Sequence, residues 1–214
     1  MKYKAVIFDL DGVICHTDTY HYQAWKILAD GMGIYFDETI NNRLRGVSRM
    51  ESMEIILEQY EGEALTDVEK QRLTEEKNAI YKELLENMGP ENLSHQVKQT
   101  LDRLREAGVK LAIGSSSKNA GYILRQIGLE GYFDAVSDGN NISRSKPDAE
   151  VFLKASEYLN ISGRNCLVVE DAAAGVEAAR AGGMDCAAIG EGEELSLANY
   201  RLKNFCDLLE IVLV

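Results

Sequence analysis

The run Ala5-Val6-Ile7-Phe8-Asp9-Leu10-Asp11-Gly12 decides how the rest of the chain is read. Four apolar residues in succession, two β-branched and one aromatic, predict a buried strand of a parallel sheet, and the glycine beyond them ends it. Ligands of open α/β sheets gather at the carboxyl ends of the strands, so this strand delivers Asp9 and Asp11 to that rim. One carboxylate there can attack an electrophile or bind a hard cation, while the other trades protons with a substrate if its surroundings raise its pKa. An ordinary Asp-Gly turn accounts for the same four residues without any chemistry. The partners that the rest of the chain supplies decide between the two.

With 214 residues, 45% of them hydrophobic, the chain can bury one large core, or one core and a smaller second one. No apolar run approaches bilayer length, and the N-terminus lacks a basic region followed by an apolar stretch and a cleavage site, so a soluble, cytoplasmic protein is expected. The net charge of -12 and the lack of a basic cluster argue against nucleic acid and membranes as partners. The expectation is a monomer acting on small molecules. Cys15, Cys166, Cys186 and Cys206 lack C-x-x-C spacing and read as buried, reduced thiols, and His16, His21 and His95 do not form a zinc pattern.

Beyond Gly12 the pattern turns helical. Tyr20, Trp25, Leu28 and Met32 recur at helical spacing, and Met53, Ile56, Leu57 and Tyr60 repeat it. Thr66-Asp67-Val68-Glu69 is a capping box that opens a long charged helix to about Met88. Gly89-Pro90 breaks the chain, and from Ser94 helix and strand alternate. A helix over Val97 to Ala107 ends at Gly108, and Val109 to Gly114 is a second strand that closes on Ser115-Ser116-Ser117-Lys118-Asn119. Tyr132 to Val136 reads as a third strand, and Ser145-Lys146-Pro147 opens a helix carrying Val151, Phe152, Ala155 and Leu159. Cys166 to Val169 is a fourth strand that ends on Glu170-Asp171, and Asp185 to Ile189 is a fifth. Five strands with helical crossovers predict an α/β protein with a Rossmann-like parallel core made of residues 1–15 and 89–214. The helical block, residues 16–88, interrupts it at the rim that holds Asp9 and Asp11 and is read as an inserted α-helical cap, which would exclude water and select the substrate.

Other strand tips add polar groups to the same rim. Ser115-Ser116-Ser117 offers hydroxyls and helix-start amides to phosphate oxygens, where an ordinary N-cap needs one serine. Lys146 precedes Pro147, which fixes the local backbone and can aim the ammonium at a phosphate; a lone lysine is otherwise a solvated charge. Glu170 and Asp171 would repel one another unless a cation were present, and with Asp9 they make an oxygen-rich magnesium site.

In order, D-x-D, serines after an apolar strand, Lys-Pro, and an acidic pair after another apolar strand resemble the four motifs of the haloacid dehalogenase-like superfamily, over Lys4 to about Ile189. The resemblance implies that Asp9 is a phosphorylated nucleophile and Asp11 the general acid/base, that Ser115 and Lys146 hold the transferring phosphoryl group, and that magnesium is bound by Asp9, the Asp11 backbone carbonyl, Glu170 and Asp171. Phosphoryl transfer asks mainly for in-line positioning and neutralisation of the equatorial oxygens, which such a set supplies.

Most enzymes of that superfamily hydrolyse the aspartyl phosphate; a minority pass it to a sugar hydroxyl. Here Thr17, His21 and Trp25 follow the D-x-D loop, Leu44-Arg45-Gly46-Val47-Ser48-Arg49 sits at a helix junction with Ser52 beyond it, and Lys77-Asn78 lies on the long cap helix. With Ser116, Ser117, Lys118 and Asn119, these residues resemble the β-phosphoglucomutase family, which interconverts β-glucose 1-phosphate and glucose 6-phosphate through β-glucose 1,6-bisphosphate. The resemblance implies Arg49 as the clamp on the non-transferring phosphate, Trp25, Arg45, Ser52 and Lys77 as groups that bracket the sugar, and His21 as a link between cap closure and base catalysis. Without it, Trp25 reads as core and the arginines as solvated charges. Cys15-His16, His95-Gln96 and Ala172 depart from the family pattern and bear on the hinge and on finer specificity. A sugar-phosphate phosphatase and a non-catalytic sugar-phosphate binder are the alternatives; a binder has no need for a nucleophile and an acid/base together.

Overall fold

A computed structural model describes residues 1–45, 47–190 and 195–214. Strands β1 (Ala5–Phe8), β2 (Lys110–Gly114), β3 (Ala135–Ser137), β4 (Cys166–Glu170), β5 (Asp185–Ile189) and β6 (Tyr200–Leu202) form one sheet in the order β3-β2-β1-β4-β5-β6, with every neighbouring pair parallel. Alternation along the strands feeds two cores. Val6, Phe8, Leu111, Ile113, Leu167 and Val169 face one cluster, and Ile7, Ala112, Val168 and Cys186 the other, all fully buried. Each large apolar side chain buried this way contributes about 1.5–3 kcal/mol.

Between β1 and the crossover helix that leads into β2 lie α1 (Asp18–Gly31), α2 (Glu38–Asn42), α3 (Arg49–Leu57) and α4 (Asp67–Leu85). Trp25, Leu28, Phe36, Met53, Ile56 and Leu73 give them a cluster of their own. Helix α4 belongs to both bodies: Leu73 packs in that cluster, whereas Tyr81 and Leu85 pack with the core of the sheet. Thr66 caps it as the sequence predicts, its hydroxyl accepting from Glu69 N while the Glu69 carboxylate accepts from Thr66 N. The crossovers of the sheet use α5 (His95–Glu106), α6 (Ala120–Gln126), α7 (Glu150–Tyr158) and α8 (Ala173–Ala181), and α9 (Leu208–Leu213) closes the described chain.

The structure corrects several sequence expectations. The sheet has six strands, not five; β6 is three residues long with one apolar position facing inward, too short for a periodic signal. The third strand begins at Ala135 instead of Tyr132, because a turn at Gly131 (φ 68°) and the Asp134 carboxylate, which accepts from Leu111 N, hold the chain out of the ladder until then. Pro147 does not open α7: a turn in which Asp148 N donates to Ser145 O comes first, and the Asp148 carboxylate accepts from Glu150 N. Helix α6 starts at Ala120, so the three serines precede it in a loop instead of forming its first turn. Cys15, Cys166 and Cys186 are buried free thiols, while Cys206 is half-buried.

Because the Thr66 cap is exposed and its side chain does not line the cavity, Thr66→Ala is expected to lower stability by about 1 kcal/mol, read as a lower denaturant midpoint at unchanged slope.

Candidate active site

Register decides which side chains meet. Phe8 pairs with Ile113 on one side and Val169 on the other, so Asp9, Gly114 and Glu170 come level at the carboxyl rim, with Ser115 one residue beyond. Asp9 N donates to Val169 O at 2.9 Å and Ser115 N to Ser137 O at 3.0 Å, which carries the ladder into the site. Lys146, 1% exposed, reaches into this rim from the turn before α7. Its ammonium pairs with Asp9 Oδ1 and, at 2.5 Å, with Glu170 Oε1. Burial opposes the charge on Lys146, but the two carboxylates outweigh it and push its pKa up. Burial, with Glu170 nearby, raises Asp9 to about 7 despite Lys146.

Glu170 Oε2 accepts from Asp171 N and Ala172 N at 2.8 and 2.9 Å, and Gly175 makes room for this carboxylate, since a Cβ there would lie 1.8 Å from Glu170 Oε1. Gly12 does the same for Asp171: its φ is 88° and a Cβ would lie 2.1 Å from Asp171 Oδ2. Oxygens of Asp9, Glu170 and Asp171 lie within 4.8 Å of one another. Three hard oxygen donors converging under backbone that only glycine permits fit a small divalent cation such as magnesium. Lys146 and Arg45 supply the compensating positive charge, Arg45 reaching Asp171 Oδ2 at 2.6 Å and Asp18 Oδ2 at 2.9 Å. Burial, then the charges of Glu170 and Asp9, raise Asp171 to about 8 against the pull of Arg45.

Asp11 faces a different set. Its Oδ1 accepts from Thr17 N at 2.9 Å, and its Oδ2 lies 3.3 Å from His21 Nε2. Partial burial works against ionisation, yet His21 and Thr17 overcome it and hold the Asp11 carboxyl below its ordinary range. His21 Nδ1 lies 2.8 Å from Lys77 Nζ, and Lys77 is 2% exposed, with its ammonium 4.8 Å from the Trp25 ring centroid and 4.5 Å from that of Tyr81. Burial and Arg49 pull Lys77 well below the usual lysine range, and burial also lowers His21. Lys77 is thus engaged with His21.

Arg49 donates to Asn78 Oδ1 at 2.8 Å, which also accepts from Asn119 Nδ2 at 2.8 Å, so this asparagine ties α4 to α3 and to the start of α6. Ser48 spends its hydroxyl on Glu51 N as the N-cap of α3, and Ser52 and Leu44 are buried. Ser115 and Ser117 hydroxyls accept from Ser117 N and Asn119 N, and Ser116 Oγ accepts from Lys146 N at 3.4 Å. A cavity of about 670 Å³ lies between these groups, within the range of small-molecule sites. Every candidate named from the sequence lines it except Thr17, which stands behind Asp11, and Gly46, which lies outside the described residues.

The profile of haloacid dehalogenase-like hydrolases matches residues 3–183. The chain belongs to this family. It is 39% identical to the β-phosphoglucomutase of Bacillus subtilis (strain 168), covering 96% of this chain and 91% of that one. It is 34% identical to the phosphorylated carbohydrates phosphatase of Thermotoga maritima, covering 85% and 82%. The crystal structure of β-phosphoglucomutase from Clostridium difficile superposes with a TM-score of 0.92 at 35% identity, over 99% of this chain and 96% of that one. The α/β fold with its parallel sheet is therefore that of the haloacid dehalogenase-like enzymes, and no described helix is long and apolar enough to cross a membrane.

Sequence reasoning missed Tyr81 and Asp18, both of which line the cavity. The available signal is on α4: Leu73, Lys77, Tyr81 and Leu85 recur every four residues, and a lysine within a buried stripe marks polar work on that face.

Asp9 and Asp171 keep protons in the folded state that the unfolded chain releases near the ordinary value of 3.8. A raised carboxyl pKa gives stability that is present at acid pH and lost as pH rises toward the folded value. With metal chelated, wild type is expected to lose thermal stability relative to Asp171→Asn between about pH 5 and pH 8. A difference that stays flat or grows with pH refutes this.

Proposed function

We propose that the chain is a magnesium-dependent β-phosphoglucomutase, interconverting β-glucose 1-phosphate and glucose 6-phosphate. The observation that carries this reading is one cavity with two cationic poles: Lys146 beside Asp9 on the sheet side, and Arg49, half-buried and in no ion pair among the described residues, on the helical side. A sugar with phosphates at both ends, such as β-glucose 1,6-bisphosphate, matches such poles. The names of the B. subtilis and C. difficile relatives support the same reading.

On this reading residues 16–88 close as a cap over the rim. Phosphorylated Asp9 gives its phosphoryl group to O6 of β-glucose 1-phosphate, breaking the bond from phosphorus to Asp9, while the Asp11 carboxylate takes the hydroxyl proton. The bisphosphate then turns end for end. Asp9 attacks the phosphorus on C1, the bond to O1 breaks, and Asp11 returns its proton to O1. The lowered pKa of Asp11 suits the first half, where it must be ionised; the proton needed in the second half is the one just taken. Ser115 and Lys146 hold the transferring group, while Ser116, Ser117, Lys118 and Asn119 line its approach. Arg49 and Asn78 hold the distal phosphate, with Trp25, Arg45, Val47 and Ser52 around the sugar. Asp9, the Asp11 carbonyl, Glu170 and Asp171 would hold magnesium, which when bound neutralises charge on the phosphoryl oxygens.

A phosphatase is the second reading, favoured by the T. maritima relative and by a fructose-1-phosphate phosphatase of Escherichia coli at 32% identity. The deciding assay incubates the protein with magnesium, β-glucose 1-phosphate and a trace of β-glucose 1,6-bisphosphate, following glucose 6-phosphate and inorganic phosphate together. Glucose 6-phosphate without free phosphate is the expected result; phosphate released in proportion to substrate consumed would mark a phosphatase. Asp9→Asn is expected to abolish both turnover and the phosphoenzyme, and a retained rate would remove Asp9 as nucleophile.

A further inference from the structure

Tyr81 is fully buried on α4, and each polar or aromatic contact it makes leads to Asp11. Its hydroxyl donates to Thr17 Oγ1 at 3.0 Å, and Thr17 N donates to Asp11 Oδ1. Its ring stacks on His21 with centroids 4.0 Å apart and an interplanar angle of 27°, and His21 Nε2 faces Asp11 Oδ2. The same ring forms one wall of the aromatic slot, with Trp25, that holds the Lys77 ammonium against His21 Nδ1. Both oxygens of Asp11 are therefore held by groups that Tyr81 touches.

Two of these contacts need an aromatic ring and the third needs the phenol hydroxyl. An aromatic face attracts the ammonium that burial would otherwise strip of its proton. An ammonium fixed at Nδ1 can only donate there, which leaves the imidazole proton on Nε2, pointing at Asp11. Stacking fixes the plane of the imidazole, and the hydroxyl fixes Thr17, whose backbone amide sets the other carboxylate oxygen. An aliphatic side chain of similar size would fill the space and supply none of this.

We propose that Tyr81 is a positioning residue for the reaction, acting through His21 and Thr17 to aim Asp11 at the sugar oxygen. The inference rests on Asp11 being the general acid/base of the proposed function. Misplacing a proton-transfer group by a fraction of an ångström slows the step it serves while leaving phosphorus chemistry that needs no proton untouched.

That asymmetry is the test. Phosphorylation of Asp9 is followed by mass spectrometry with two donors in magnesium: β-glucose 1,6-bisphosphate, whose sugar oxygen must be protonated as it leaves, and acetyl phosphate, whose acetate leaves unaided. Tyr81→Met is expected to slow the sugar donor at least about tenfold at a KM within about twofold of wild type, with the acetyl phosphate rate within about twofold. Tyr81→Phe, which keeps the ring but loses the hydroxyl that holds Thr17, should fall between, slowing the sugar donor about threefold with the acetyl phosphate rate again unchanged. A merely structural role would slow both donors together or neither, and either result overturns the proposal. If Tyr81→Met does not fold, Tyr81→Phe alone decides: slowing confined to the sugar donor supports the proposal, and parallel or absent slowing overturns it. Failure of wild type to become phosphorylated on Asp9 by either donor would instead remove the proposed function, and this inference with it.

Discussion

One buried ammonium holds the rim of this protein together. Lys146 sits between Asp9 and Glu170, on adjacent strands whose register brings the two acids level, and none of the three is well solvated. Two carboxylates confined there without a cation would drive one another to the protonated state, and removing one partner from such a buried cluster is strongly destabilising. The geometry of the rim follows from this: Asp9 is fixed toward the cavity, Glu170 is anchored by the amides that open onto α8, and Asp171 is left to find its positive charge from Arg45.

Asp9 and Asp11 stand two residues apart with opposite electrostatics. Burial and neighbouring acids raise Asp9, whereas the histidine and the amide of the helical segment hold Asp11 ionised. Two carboxyl groups on one loop are thereby separated into different roles by what covers each. The helical segment that follows β1 supplies the groups that hold the Asp11 carboxylate. It contributes Thr17, His21 and Lys77 to the protonation state of a core residue.

Helix α4 is what makes that contribution rigid. Its first half packs with side chains of α1 and α3 and its second half among side chains of the sheet, so Lys77 and Tyr81 fall where the two cores meet. The Asn78 bridge between Arg49 and Asn119 lies on the same stretch. A lysine buried at such a junction is costly unless aromatic faces and a hydrogen-bond acceptor surround it, and here they do.

The apolar runs at Ala5–Phe8 and Cys166–Val169 determined by themselves where strands form and that carboxylates follow them, because periodicity and chain polarity are local properties. The order of D-x-D, serines, Lys-Pro and the acidic pair likewise identified the family, and the succession of helices after β1 was legible from the loss of strand pattern beyond Gly12. Local signals failed where partners are distant. The short β6 strand exists only because β5 offers it an edge, and the start of the third strand is set by Asp134 bonding across to Leu111. Tertiary structure alone decided that Lys77 meets His21 and that Arg45 meets Asp171, 126 residues away. A side chain's charge is written in the sequence, but the group that will compensate it is chosen by the fold, and at this rim that choice sets the chemistry.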